Sequence, residues 1–559
     1  MGRSLALLAG LAVLVTGTAS CSAAPQYPDR WVFVSHNLTR DQHLDDLRDI
    51  VSVAAAHGLN GMLWAGGADS LGRWDDARLQ RLEEMKRICA EAGIEIIPLG
   101  FSVGYGGAAL GFDPNLAAGL FVDGALFQVK GREAQAVADP PVAIENGDLE
   151  RFEGDRFAGF QFHDAPGDIS FADTQAPHGG AAAIRFENFG GADKPHGHAR
   201  IMSVVKVKPH RHYTLTLWVR TQELEPTSAF ALQVYNDKRA IAALHPPLQP
   251  TQDWTRYAFT FNSLGNEELR IYVGLWGGRS GRFWLDDLQL EEVGLRCVLR
   301  RPGTPLKVTS EDGQTVYEEG KDFEEIADPK LRDFRGDHED PPIRITDGSR
   351  IVDGQRLRVS YYHGQIAQGS QVSVCMSESS LYEFWREQIR VIHERLKPAK
   401  YFLSMDEIRA GGSCAACRAR NLTMGEILGD CITRQCEMIH EVNPDAKVYI
   451  WSDMLDPNHN AHGDYYLVEG DFTGSWEHVP KDLVIVCWYH AKRNETLKFF
   501  SDLGFETLAG AYYDGDTLDN PRGWLEALAE TPRARGIMYT TWQNKYGLLA
   551  GFGDLVSGR

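Results

Sequence analysis

Tyr401-Phe402-Leu403-Ser404-Met405-Asp406-Glu407 is an apolar strand that ends in two adjacent carboxylates. Helical periodicity flanks it on both sides, over Ser379–Leu396 and Met424–Val442. Downstream the rhythm continues with strands Lys447–Trp451, Leu483–Trp488, Thr507–Tyr512 and Gly536–Trp542, and helices Glu495–Leu503 and Pro521–Ala529. The same rhythm opens the chain. Strand Trp31–Val34, helix Asp41–Ala56, strand Gly61–Trp64, helix Asp76–Ala92 and strand Ile94–Phe101 follow one another. Three strands before the gap and five after it give the count of a (β/α)8 TIM barrel, interrupted after strand three. A doubly wound open sheet is the alternative, but no Gly-rich nucleotide loop follows the first strand.

The interruption divides the chain. Residues 25–137 and 376–559 form the two parts of the barrel, the second carrying the catalytic residues. Residues 138–293 read as short alternating strands punctuated by Gly, Pro and Asn, the pattern of a β-sandwich. Residues 294–375 make a small β-rich subdomain, with turn signals at Glu311-Asp312-Gly313 and Asp347-Gly348.

The 57 Lys and Arg against 77 Asp and Glu give a formal charge of −20 over 559 residues. A chain this acidic has no electrostatic basis for gripping nucleic acid or an anionic membrane surface. Arg3 followed by the apolar run Leu5–Val15 and small residues reads as a signal peptide over residues 1–24. Cleavage after Ala24 and lipid attachment at Cys21 are both open, and either exports the protein to the periplasm or beyond. No other stretch is long and apolar enough to span a membrane.

Cys414-x-x-Cys417 with Cys431 and Cys436 has spacing that resembles a zinc ligand set. Against it, Cys431 and Cys436 stand five apart in a helical pattern, on different faces. A local disulfide or unpaired thiols suit an exported chain equally.

Barrel enzymes carry catalytic groups at the C-terminal ends of strands. Those ends hold Trp64, Asp406-Glu407, Trp451 with Asp453, Trp488, Tyr512-Tyr513-Asp514 and Trp542-Gln543-Asn544. Indole faces to stack on and acids to accept hydroxyl protons are what a pyranose ring requires. Two adjacent carboxylates repel each other, so one is pushed toward its neutral form. That is the division of labour glycosidic cleavage uses.

In this order the landmarks resemble glycoside hydrolase family 20, the β-N-acetylhexosaminidases, and more distantly family 123. The inserted segment resembles carbohydrate-binding jelly rolls of the family 4/9 type. It does so through Glu145-Asn146-Gly147-Asp148-Leu149-Glu150, Tyr213–Trp218, Asp253-Trp254-Thr255 and Trp284–Leu288. The resemblance implies exo-acting, substrate-assisted, retaining hydrolysis of a glycan with a terminal β-linked N-acetylhexosamine, with no cofactor and no metal. Glu407 would be the acid and base, and Asp406 would orient the acetamido N–H. Tyr512 would hold the acetamido oxygen, Trp451, Trp488 and Trp542 would box the ring, and Asp514 would bind outer hydroxyls. Asp453 and Trp64 complete the expected binding set.

Two family residues are missing. His36-Asn37 stands near the position of the family's strand-one Arg, and Asn544 replaces its strand-eight Glu. The far side of the sugar is therefore rebuilt, and a preference for one C4 epimer follows, leaning to GalNAc over GlcNAc. Two other classes fit the same residues: a non-catalytic carbohydrate-binding surface protein, and a glycosidase with an ordinary two-carboxylate mechanism on a sugar without an acetamido group.

Overall fold

A computed structural model describes residues 27–559. The signal peptide and Cys21 lie outside the described residues. Eight parallel strands close into a barrel: β1 Asp29–Val34, β2 Gly61–Trp64, β3 Glu95–Gly100, β4 Lys400–Leu403, β5 Lys447–Trp451, β6 Val484–Cys487, β7 Glu506–Tyr512 and β8 Ala534–Thr540. They pair in chain order, and β1 closes on β8 through Trp31 opposite Met538.

Strand period two sorts the barrel side chains into two cores. Trp31, Phe33, Leu63, Phe402, Tyr449, Trp451, Val486 and Met538 fill the interior. Val32, Val34, Met62, Trp64 and Ile450 face outward and pack with helical residues such as Leu47, Leu82, Trp385 and Ile432. Helix Asp76–Ala92 starts at Asp75, whose carboxylate accepts from Arg78 N, and stops at Gly93 with φ 68°. Helix Met424–Val442 opens with a reciprocal capping box between Thr423 and Glu426.

The expected strand–helix alternation is incomplete. Between β5 and β6 stand two short 3-10 turns, Asp453–Leu455 and Ser475–Glu477, and a two-residue strand, Leu467–Val468. Asp456-Pro457, Gly463, Gly470 and Gly474 interrupt that segment too often for a helix.

Two five-stranded antiparallel sheets occupy the inserted region. One is centred on His212–Glu225 and Ser280–Glu292, the other on Glu268–Trp276. Ile184, Leu215, Leu232, Ile271 and Leu285, drawn from both sheets, share one core. Trp284 belongs to the interior and donates to Asp173 (2.8 Å). Asp286 accepts from the backbone N–H of His178 and Gly179, and Asp287 pairs with the His178 ring.

A six-stranded sheet joins the parts. Strands Leu120–Lys130 and Glu133–Ala136, grouped by sequence with the first part of the barrel, lie in it beside Arg356–His363. The alternation of Val122, Phe127 and Val129 gives no sign of which sheet they join. Pairing with residues more than two hundred positions away decides it. Among the described residues, no helix is long and apolar enough to cross a membrane.

Candidate active site

A pocket of about 230 Å³ opens at the C-terminal ends of the barrel strands. It is lined by Tyr105, Asp406, Glu407, Trp451, Trp488, Tyr513 and Trp542. A larger cavity, about 650 Å³, lies away from the barrel around Arg296, Asp328 and His338. Arg296 pairs there with Asp340 and His338 with Asp328, and no barrel strand residue lines it.

The pleat delivers most of the lining. Phe402 faces inward, and so does Asp406 two pairs on. Tyr449 is followed at period two by Trp451, Val486 by Trp488, and Met538 by Trp542, while Asp453 lies in the 3-10 turn past β5. Asp406 is buried and accepts from Ser404 Oγ (2.9 Å). Asp453 is fully buried below it and accepts from Glu407 N (2.8 Å), Asn460 Nδ2 (3.0 Å) and Trp488 Nε1 (3.4 Å). It therefore positions the site from beneath rather than lining it.

Burial is the first cause of two displaced acidities. Asp406 is pushed up to about 6, with Ser404 pulling the other way. Asp453 is pushed up to about 7, its second cause being the Asp406 charge. Between pH 4 and 7 the folded chain thus holds a proton on Asp453 that an unfolded chain releases near 3.8. Stability is lost as pH rises through that window. Asp453→Asn is expected to gain melting temperature over the wild type near pH 8 and to lose that advantage near pH 4. Calorimetry at both values checks it, and a gap independent of pH would refute the assignment.

Glu407 sits at φ 50° with both carboxylate oxygens held by Arg409, at 2.9 Å each. Tyr105 Oη donates to it as well. Arg409 also donates to Gln371 Oε1, and Gln371 Nε2 donates to the Glu407 carbonyl (2.6 Å). Gly104 lies directly against this turn. A Cβ there would stand 2.1 Å from the Asp406 carbonyl oxygen. Sequence reasoning missed all three partners. Tyr105 ends the loop after β3, whose C-terminus the strand-end search omitted. Arg409 stands two residues past Glu407 and was legible there. Gln371 has no local signal.

Of the expected site residues, Asp453, Tyr512, Asp514, Trp64, His36, Asn37 and Asn544 do not line the pocket. Tyr513, not Tyr512, reaches the pocket. Leu508 and Gly510 face the interior, so the pleat alone would aim Tyr512 there too. Three consecutive positive φ angles, 79° at Tyr512, 53° at Tyr513 and 58° at Asp514, break the alternation. Tyr512 instead stacks on Tyr539 (4.0 Å), and Tyr513 lies parallel to Trp488 (5.7 Å, 9°). Such angles are strained for non-glycine residues and need external support. Asp514 gives it, accepting from Thr541 Oγ1 and from the backbone N–H of Trp542 and Gln543. Its carboxylate thus ties the loop after β7 to the loop after β8.

Trp64 faces outward, since Leu63 faces in, and packs edge-on to Trp74 with its N–H on the His36 carbonyl. His36 stacks on His43 (5.1 Å) and lies 3.5 Å from Asp46. The Asn37 side chain accepts from Thr39, closing a local turn. None of the three lines the pocket. Asn544 is exposed beside the rim and accepts from Ser35 Oγ (3.2 Å).

Trp451, Trp488 and Trp542 do line it. Trp542 is half exposed over Phe33, and the indole N–H of Trp451 has no partner among the described residues. What this assembles is an aromatic-walled pocket with a buried carboxyl, an ion-paired carboxylate and two tyrosines.

No protein-family model and no curated protein matches this sequence. Solved structures resemble it at low identity. A rhamnosidase from Novosphingobium sp. PP1Y is 11% identical over 93% of this chain and 55% of its own, with a TM-score of 0.29. An arabinose-bound α-L-arabinofuranosidase is 8% identical over 71% of each chain, at 0.23. A family 4 carbohydrate-binding module is 15% identical over 27% of this chain and 99% of its own, at 0.19. Scores this low assign neither a fold nor a function here.

Proposed function

We propose that this chain is an exported glycoside hydrolase, an exo-acting β-N-acetylhexosaminidase, with its active site at the mouth of the barrel. The carrying observation is the Asp406–Glu407 pair at the floor of a single-ring pocket walled by Trp451, Trp488, Tyr513 and Trp542. Sugars present apolar ring faces and a rim of hydroxyls, and stacked aromatics with a few convergent acids answer both.

In this reading the substrate's acetamido oxygen attacks the anomeric carbon as Glu407 protonates the leaving oxygen. Asp406 accepts the acetamido N–H and stabilises the oxazolinium charge, and the Tyr513 hydroxyl donates to the acetamido oxygen. Water then opens the oxazolinium and returns its proton to Glu407, with the configuration retained and no covalent enzyme intermediate. Gln371 gives Arg409 a second acceptor while Glu407 is protonated. The rebuilt rim with Asn544 leans toward GalNAc. The sandwich is a carbohydrate-binding module in the same proposal.

Hydrolysis of aryl β-glycosides of GalNAc, GlcNAc, glucose and galactose tests the reading. Cleavage of neither acetamido sugar would overturn it, and a GlcNAc preference would overturn the epimer choice. The tyrosine assignment has its own check. Tyr513→Phe is expected to lose about 10²-fold in kcat, as loss of one oxyanion donor does, with Tyr512→Phe within a few-fold of wild type. The opposite ranking would return the role to Tyr512.

A second reading rests on the Arg409 pair. A carboxylate gripped at both oxygens is held as an acceptor. That state suits a nucleophile on a sugar without an acetamido group, with Asp406 carrying the proton. Trapping of a 2-fluoroglycosyl ester on Glu407 would establish it.

A further inference from the structure

Cys375, Cys414 and Cys417 meet in the interior. Their sulfur atoms are 3.3 Å (375 to 414), 3.4 Å (414 to 417) and 3.6 Å (375 to 417) apart, and all three residues are buried. Cys414 and Cys417 bracket the start of the short helix Ala415–Ala419, while Cys375 ends the chain's return from the inserted domains. Cys431 and Cys436, whose spacing resembles the rest of a zinc set but which stand on different helix faces, are buried elsewhere along helix Met424–Val442. The sequence-distant Cys375 takes their place.

Three features go beyond packing of small apolar residues. A tetrahedral cation with metal–sulfur bonds of about 2.3 Å sets its sulfurs about 3.8 Å apart, close to the observed triangle. A disulfide needs about 2.05 Å. Next, the Arg301 guanidinium is the charged neighbour of Cys375 and Cys414. Its side chain is buried, Nε is paired with Glu378 (2.7 Å), Nη1 donates to the Asn115 and Ala117 carbonyls, and Nη2 has no partner among the described residues. One unpaired N–H group on this buried guanidinium, near the sulfurs, suits a net-negative cluster. Last, Met424 lines the same small cavity and offers a fourth, soft ligand.

We propose that Cys375, Cys414 and Cys417 hold one thiophilic cation of the Zn²⁺ or Cu⁺ type as a structural site. Binding replaces thiol protons, which pass to solvent, and transfers no electrons. The site would bolt the loop after β4 to the segment carrying Gln371. Glu407 and Arg409 lie on that loop, and Gln371 is the residue that holds both. It is distinct from the pocket, because none of its ligands lines it.

Elemental analysis of the untagged full chain from zinc- and copper-supplemented cells tests this. One equivalent of zinc or copper per chain is expected after gel filtration in EDTA, and the element found names the cation. Cys414→Ser and Cys417→Ser should fall to near none, and Cys431→Ser and Cys436→Ser should keep the full equivalent. Removing the metal with a mercurial and adding Co²⁺ should give a thiolate-to-cobalt charge-transfer band. Should the serine variants not fold, X-ray absorption on the wild type decides, a sulfur-dominated shell being expected. A nitrogen and oxygen shell, a metal-free chain, metal retained in the Cys414→Ser/Cys417→Ser double variant, or a mass two protons low from a disulfide among these thiols would each overturn the proposal.

Discussion

Glu407→Gln is expected to lower kcat/KM on a natural glycan by about 10²–10⁴-fold, the worth of a positioned acid. An aryl glycoside with a good leaving group needs little protonation and should lose far less in the first step. Tyr105 and Arg409 sharpen the expectation. Both contact the carboxylate, so replacing it by an amide leaves the guanidinium without its charged partner. Part of any loss therefore reflects a displaced Arg409. Arg409→Met separates the two effects: it should weaken turnover on both substrate types alike, because it misplaces Glu407 without removing the proton. Equal losses on both substrates for Glu407→Gln itself would take the acid role from Glu407. Azide rescue of Glu407→Ala yielding a β-glycosyl azide would keep substrate-assisted retention, and an α-azide would favour the nucleophile reading.

Much of this site was legible because the strand pleat has period two. With Leu63, Tyr449, Val486 and Met538 facing the interior, Trp451, Trp488 and Trp542 follow them and Trp64 does not, whereas Asp453 is set by the 3-10 turn after β5. Tyr513 was not accessible to that alternation, because the backbone of Tyr512 to Asp514 departs from the pleat. The support for that departure, Asp514 on the 541–543 turn, comes from another strand. Gln371 and Cys375 were hidden for the same reason on a larger scale. Both arrive from the far end of an insertion, and no local periodicity marks where its chain returns. The strands Leu120–Lys130 and Glu133–Ala136 show the reverse. Their pattern revealed strands, but a strand's partner is a non-local fact.

Asp406→Asn should cost turnover by about 10²–10³-fold with little change in ground-state binding, since the charge it removes matters most when the oxazolinium forms. The shape is kept, and Ser404 can still pair with the side-chain oxygen. The pH profile carries the sharper sign. Burial lifts Asp406 to about 6, so the wild-type carboxyl is neutral below that value and ionised above it. If the ionised form stabilises the intermediate, wild-type kcat falls as pH drops through about 6. The residual kcat of Asp406→Asn should be flat across the same range. Asp453 below, lifted to about 7, is coupled to it, so the wild-type limb belongs to the pair. A thiazoline that mimics the oxazolinium should bind the wild type tightly and the variant weakly. A variant that keeps the acidic limb, or binds the thiazoline as well as the wild type does, would remove Asp406 from the charge-stabilising role.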